Sequence, residues 1–334
     1  MRNNTNNILQ NHYQQITIKM RDAIVYRLDF GSLAGEKAVC NLNCPYCHKD
    51  YFPISKSFDP TIQKSFVDTI KMLDGLLQNF NLPRKIHISG RIEPLTIDKN
   101  LVVDTIKSLK SYFPTYEIVM TTNGIKLEEF AEELIDAGVS RFNVSMHNKI
   151  NPKSIIVRGM EKAAKYGARI TLNVIITEYV INNMKPFIDF SKQNKYDLKF
   201  FYELGKNDAD INRDINATVK KLNELLHLKG VRNTSKNRIE FKNGRNKIEV
   251  KLLENPSMHS KGCNVCKYKD ICREGCWDSI RITPWYIKPC GVKEENVYLF
   301  NENSQSALLS KLESGGKIEL RKRKNINKQK VLYE

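Results

Sequence analysis

Between residues 22 and 230 the chain alternates strand-like and helix-like segments six times, and no other feature limits its fold as strongly. The strand-like runs read AIVYRLDF, KIHIS, YEIVMTT, RFNVSMH, RITLNVIIT and LKFFYELG. Amphipathic stretches such as IQKSFVDTIKMLDGLLQNF and KLEEFAEELIDAG lie between them, with apolar residues at helical spacing. Alternation of this kind, with short polar links, means βαβ units and a parallel sheet. Six repeats fit an open doubly wound sheet or a partial barrel. In either fold the chemistry belongs at the C-terminal ends of the strands.

The eight cysteines fall in two groups. Cys40, Cys44 and Cys47 follow the first strand directly, and Cys263, Cys266, Cys272, Cys276 and Cys290 share one later window. Such clustering points to metal rather than to disulfide staples. Three thiolates fill three corners of a metal site. Zinc in a closed site needs a fourth ligand, which His48 offers. An iron–sulfur cubane on three thiolates leaves one iron open for an exogenous ligand. Spacing alone leaves both open.

The formal net charge is +17, with a dense basic run in KIELRKRKNINKQK, and 41% of residues are hydrophobic. The tail reads as a solvated surface. The overall charge suits a polyanion such as a nucleotide phosphate, RNA or an acidic peptide. Aromatic residues are not interleaved with the tail's basic ones, so a nucleic-acid partner is not expected. No apolar run is long enough to cross a bilayer, and the N-terminus lacks the apolar core of a secretory signal, so no membrane partner and a cytoplasmic location are expected.

CNLNCPYC resembles the C-x3-C-x-aromatic-C signature of the radical S-adenosylmethionine (SAM) superfamily. The resemblance implies a partial (β/α)6 TIM-like barrel. Cys40, Cys44 and Cys47 would hold a [4Fe–4S] cluster whose open iron is chelated by SAM. Reductive cleavage would then give a 5′-deoxyadenosyl radical that abstracts hydrogen from the substrate, with an electron donor such as flavodoxin or ferredoxin. Tyr46 would sit by the adenine. SGRIEP departs from the family's Gly-Gly-Glu-Pro but keeps Ser89, Gly90 and Glu93 as cofactor residues. Asn123 in MTTNG, Ser145 and Asn148 in NVSMHN, and Asn173 in LNVIIT complete the SAM set that the resemblance implies.

The later cysteines resemble two extension types. Cys263-x2-Cys266-x5-Cys272-x3-Cys276 has the spacing of the SPASM extension of peptide-modifying radical SAM enzymes, without its upstream pair. The order of hairpin, cysteines, SIRIT strand and Cys290 is similar to the GTP 3′,8-cyclase family of molybdenum-cofactor biosynthesis. That family has two arginines where this chain has only Arg281, and it ends in a double glycine, whereas this chain runs on past Gly315 and Gly316. One cubane takes at most four of the five thiols. We expect a second, auxiliary [4Fe–4S] cluster on Cys290 and three of the others, a zinc knuckle being the rival.

The expected organisation is a polar lead-in over 1–21, a radical SAM core over 22–230, an auxiliary-cluster subdomain over 231–300 and a basic tail over 301–334. The substrate is expected to be small and anionic, a nucleotide first, undergoing C–C bond formation or rearrangement. Lys85, His87, Arg91 and Arg281 are its candidate contacts, Arg91 being equally readable as a tolerated replacement. The alternatives are a SPASM-type peptide-modifying enzyme, a tRNA-modifying radical enzyme, and a non-catalytic iron–sulfur or zinc protein that binds nucleic acid.

Overall fold

The computed structural model describes residues 23–37, 40–42, 44, 47, 64–78, 82–90, 92–203, 206–233, 238–252, 279–289, 297–300, 307–308 and 312. Six strands, β1 (Ile24–Asp29), β2 (Arg84–Ser89), β3 (Glu117–Thr122), β4 (Val139–Ser145), β5 (Arg169–Ile176) and β6 (Asp197–Tyr202), pair in chain order, each parallel to the next. Helices α1 (Phe66–Leu76), α2 (Lys99–Tyr112), α3 (Leu127–Asp136), α4 (Ile155–Lys165), α5 (Glu178–Asn182) and α6 (Met184–Asn194) supply the crossovers. Helix α7 (Asp208–Leu226) follows β6. The expected α/β partial barrel is what the chain forms.

The period of two along each strand sorts the side chains. Tyr26, Leu28, Ile86, Ile88, Phe142 and Leu172 lie on the helix-covered face and are fully buried. Each contributes about 1.5–3 kcal/mol by leaving water. Their neighbours Arg27, Asp29, His87, Asn143 and Thr171 point the other way, so the inner face of the sheet is polar. Helix starts are fixed by side-chain caps. Ser65, Asp98, Ser154 and Asn207 accept from the backbone N–H of Asp68, Leu101, Val157 and Asp210.

One carboxylate clamps the N-terminal end of the sheet to α1. Asp74 accepts from the hydroxyls of Tyr26 at 2.5 Å and Tyr116 at 2.6 Å, and from Arg84 Nε at 3.2 Å. Burial, reinforced by Asp74, pushes both tyrosine hydroxyls above their ordinary pKa, so neither ionises at physiological pH.

The strands after residue 230 extend both edges of this core. The turn signal at Asn243-Gly244 closes a hairpin of β8 (Arg238–Asn243) and β9 (Asn246–Lys251), with β7 (Val231–Asn233) on its outer side. Strand β9 adds parallel to β6. At the opposite edge β10 (Ser279–Ile282) adds parallel to β1 and forms the expected hairpin with β11 (Tyr286–Lys288), followed by β12 (Tyr298–Leu299). Among the described residues the result is one sheet of twelve strands in the order β12-β11-β10-β1-β2-β3-β4-β5-β6-β9-β8-β7. No described helix is long and apolar enough to cross a membrane.

Candidate active site

The C-terminal ends of β1 to β5 gather the candidate cofactor residues. Ser89 ends β2, opposite Asp29 at the end of β1. Gly90 follows at a point where a side chain does not fit, since a Cβ there would stand 2.3 Å from Asp29 Oδ1. Ser145 and Asn173 are register partners on β4 and β5, and Met146 N–H donates to the Asn173 carbonyl at 2.9 Å. Asn173 Oδ1 is buried with no hydrogen-bond partner among the described residues. Asn148 lies just beyond β4 and is exposed.

Glu93 ties two of these strand ends together. Its buried carboxylate accepts from Thr122 Oγ1 at 2.5 Å, Asn123 N–H at 2.6 Å and Leu95 N–H at 3.3 Å. Burial raises its pKa, and the three bonds pull the other way. The Asn123 side chain is also committed, accepting from Ile125 N–H at 3.0 Å and donating to Asn41 Oδ1 at 2.7 Å. Glu93, Asn123 and Asn41 therefore link β2, β3 and the cysteine loop in series. Asn41 is the neighbour of Cys40, so the loop is held over the strand ends.

Cys40, Cys44 and Cys47 are half-buried and in no disulfide, and Cys47 N–H donates to the Cys44 carbonyl at 3.1 Å, closing a tight turn. Among the described residues no three His, Cys, Asp or Glu side chains converge to hold a metal ion. The loop thus brings three soft ligands to the strand ends without gathering their sulfurs. Tyr46, His48, Arg91 and the five later cysteines lie outside the described residues.

Inside the barrel three polar groups stand out. Arg27 on β1 is anchored by Nε to Ser279 Oγ on β10 at 2.6 Å, and its Nη1 stands 2.8 Å from His87 Nδ1 on β2. A guanidinium only donates, so Nδ1 accepts and the imidazole carries its proton on Nε2, which donates to Thr121 Oγ1 on β3 at 2.7 Å. Burial and then the Arg27 charge hold the ring neutral, well below the usual imidazole range. Lys85, two residues earlier on β2, lies toward the N-terminal end of the strands and pairs with Glu117 at 2.8 Å. Glu117 also takes Arg141 and Arg169. Arg281 lies on β10 in register with Arg27. Sequence reasoning singled out His87, Lys85 and Arg281 and missed Arg27, although Arg27 shows the same alternation with apolar neighbours.

A second charged group joins β6 to the hairpin. Glu249 on β9 takes Arg238, Lys247 and, at 3.8 Å, Lys199 on β6. Burial lowers Lys199 to about 8, while on Glu249 burial is outweighed by Arg238 and Lys199, which hold it at about 2. His147, just past β4, accepts from Ile175 N–H at 3.1 Å, and burial lowers it to about 4. No motif marks out Lys199 in the sequence, and His147 lies within NVSMHN, whose resemblance points to Ser145 and Asn148 instead.

A sequence profile of the radical SAM superfamily matches residues 38–179. The chain is 31% identical over 298 residues to the "Probable GTP 3',8-cyclase" of Sulfolobus acidocaldarius, covering 81% of this chain and 89% of that one. It is 27% identical over 276 residues to the protein of the same description from Methanococcus aeolicus, covering 77% and 84%. Among solved structures, "Native anSMEcpe with bound AdoMet" matches 61% of this chain and 60% of its own with a TM-score of 0.44 and 16% identity. A parallel partial barrel with a three-cysteine loop over its strand ends defines a cofactor-dependent barrel enzyme. The chain belongs to the radical SAM superfamily.

That family implies a [4Fe–4S] cluster and SAM. The residues present fit both. Three cysteines in one loop, none in a disulfide, supply the cluster's ligands by chemistry and spacing. The unpartnered Asn173 Oδ1 beside Ser145, and the side-chain-free approach at Gly90, suit a polar ligand lying against the strand ends.

Proposed function

We propose that this radical SAM enzyme abstracts hydrogen from a small anionic substrate, a nucleotide, held inside the barrel beneath SAM, and that the substrate radical goes on to C–C bond formation or rearrangement. The cations at one edge of the inner face carry the reading: Arg27 and Arg281 are register partners on inward-facing positions of β1 and β10, whereas Lys85 and Arg141 are paired with Glu117 and Lys199 with Glu249. Such a lining favours phosphate. The similarity to proteins described as GTP 3',8-cyclases supports the same substrate class.

Held through a cluster on Cys40, Cys44 and Cys47, SAM would supply one-electron radical chemistry, the abstraction of a hydrogen atom from the substrate, with the electron coming from an external donor. The chain's own residues position. Cys40, Cys44 and Cys47 ligate, Tyr46 flanks the adenine, and Ser89, Gly90, Ser145, Asn148 and Asn173 line the SAM side of the strand ends. Glu93 and Asn123 hold the loop in place. His87, kept neutral by burial and then by the Arg27 charge, donates to Thr121 and holds that side chain in place. In this reading Arg91 and Arg281 face the substrate, and the segment over 231–300 carries an auxiliary [4Fe–4S] cluster on Cys290 and three of Cys263, Cys266, Cys272 and Cys276. A cytoplasmic electron donor such as flavodoxin or ferredoxin completes the system.

The test is anaerobic reconstitution, iron counting, and 5′-deoxyadenosine formation with SAM and dithionite in the presence of each nucleoside triphosphate. Two cubanes require about eight irons per chain, and about four would remove the auxiliary cluster. Stimulation by one triphosphate, with its consumption, supports the substrate class. Cleavage that no nucleotide stimulates would overturn it and turn attention to peptides.

A further inference from the structure

Unneutralised positive charge and exposed apolar side chains meet beside the cysteine loop. Asn41 and Leu42, between Cys40 and Cys44, are exposed, Leu42 to 40%. The bond from Asn123 Nδ2 to Asn41 Oδ1, at 2.7 Å, joins this loop to the turn between β3 and α3. Gly124 in that turn lies against Ile156 in the first turn of α4, so close that a Cβ on the glycine would stand 2.9 Å from Ile156 Cγ2. The cysteine loop, the β3–α3 turn and the β4–α4 loop are therefore successive neighbours on one surface, at the C-terminal ends of the strands.

On that surface the lysines stand without acidic partners. Lys126 ends the β3–α3 turn, and Lys149 and Lys153 lie in the β4–α4 loop. All three are exposed, and none is in an ion pair among the described residues. Over 123–129 and 148–158, Glu128 and Arg158 neutralise each other at 3.0 Å, which leaves the three lysines against Glu129. The loop that carries two of them is fixed in place. Asn151 Oδ1 accepts from Lys153 N–H at 3.0 Å, and Arg158 Nη1 donates to the Lys153 carbonyl at 2.9 Å. Leu42 and Ile155, the latter 43% exposed, add apolar contact among the charges. Apolar spots within a charged rim are the anatomy of a protein interface; a single-stranded nucleic acid would call for aromatic stacking residues instead.

We propose that Leu42, Lys126, Lys149, Lys153 and Ile155 form the surface on which an acidic one-electron carrier protein, of the flavodoxin or ferredoxin class, docks. The proposal rests on the radical SAM reading of the cysteine loop, and it deepens that reading by assigning where the electron enters. Cys40 and Cys44 flank the exposed Asn41 and Leu42, so a carrier seated here stands beside the residues that ligate the cluster. One electron leaves the carrier, which is oxidised, and enters at the cysteine loop, whose cluster is reduced; no atom is transferred. Opposite charge steers the encounter and raises its rate, and a small contact lets the spent carrier leave, as redox encounters require.

Calorimetry on the reconstituted full chain with SAM tests the proposal, with a flavodoxin, a [2Fe–2S] ferredoxin and a single-stranded RNA oligonucleotide as probes. At least one carrier should bind the wild type, and the double variant Lys149→Glu/Lys153→Glu should weaken it by about tenfold. Raising the salt from about 0.02 M to about 0.2 M should weaken the wild type severalfold and the variant little. Lys165→Glu/Lys192→Glu makes the same charge change in the last turns of α4 and α6, at the other end of the barrel, and should bind as the wild type does. The reduced carrier should drive 5′-deoxyadenosine formation with a raised KM in the first variant alone, while saturating dithionite drives all three proteins equally. Failure of both carriers to bind the wild type, or equal binding by the two variants, would overturn the surface. RNA bound more tightly than either carrier, and released by the first variant, would overturn the protein partner in favour of a nucleic acid. If dithionite yields no 5′-deoxyadenosine from the wild type, the radical reading fails, and the binding comparison still decides the surface by itself.

Discussion

Arg27 Nη1 lies 2.8 Å from His87 Nδ1, and the contact decides the protonation of the ring rather than merely touching it. A donor that cannot give up its proton permits only an accepting Nδ1, so His87 is a neutral Nε2–H tautomer. The imidazolium would place two cations face to face in the barrel.

Two histidines therefore make the fold acid-sensitive above the carboxylate range. His87 is held well below 6.5, and His147 falls to about 4. Below pH 6.5 the unfolded chain takes up protons that the folded chain refuses, so stability is full above that pH and declines as pH falls toward about 4. His147 alone should account for about 3 kcal/mol. Urea titrations at a series of pH values should show the decline, and His147→Gln, which keeps an acceptor for Ile175 N–H, should flatten it. An unchanged slope in that variant would count against the burial of His147.

Glu117 makes a separate, lower window. Burial pushes its carboxyl up, but Lys85 and Arg141 outweigh burial and hold it at about 2. Its contribution is complete above about 4.5 and is lost as pH falls toward 2, because the unfolded carboxylate protonates first. Glu117→Gln leaves Lys85, Arg141 and Arg169 facing one another at the N-terminal end of β2, β3, β4 and β5. It should cost about 2–3 kcal/mol at neutral pH and remove about half of the slope in this window, since Glu249 is held at about 2 as well. A loss below about 1 kcal/mol would mean that solvent already screens the cluster.

Glu93→Ala strands three donors, two of them backbone N–H groups, and should cost about 2–4 kcal/mol. Its particular signature is iron. With Asn123 released, Asn41 loses its partner and the cysteine loop its tether, so iron retained per chain after reconstitution should fall along with the melting temperature. Asn123→Ala cuts only the last link and should lower iron retention with a smaller effect on stability. Full iron in both variants would separate the loop from the Glu93 link.

Much of this arrangement is legible in the sequence, and the parts that are not share a cause. The strand–helix alternation carries the six-stranded core, because a covered parallel sheet imposes apolar runs at fixed intervals. Asn243-Gly244 and SIRITPWYIKPC give both later hairpins. That β9 joins the edge at β6 while β10 joins the edge at β1 is invisible, since pairing between strands far apart in the chain leaves no local pattern. The inner-face contacts fail for another reason. Arg27 and Thr121 are ordinary strand residues in isolation, and only parallel register places them on either side of His87. Glu93 is legible as part of a motif, but its bonds to the next strand are not.

The approach of Gly90 to Asp29 supplies a final, internally controlled prediction. A Cβ on Gly90 would lie 2.3 Å from Asp29 Oδ1 and 3.2 Å from its Cγ. The obstacle is a short side chain at the end of a paired strand, which cannot swing away as a long flexible one could. Gly90→Ala should therefore destabilise the fold by about 1–3 kcal/mol and weaken SAM binding, because the strand ends at Ser89 and Asp29 must part. Asp29→Ala removes the obstacle. The double variant should be more stable than the sum of the two single losses predicts, by about 1 kcal/mol or more, as expected for residues in contact. Chemical denaturation of the four proteins measures that coupling. Strict additivity would mean that the cost of Gly90→Ala arises elsewhere, in the backbone of the turn rather than against Asp29.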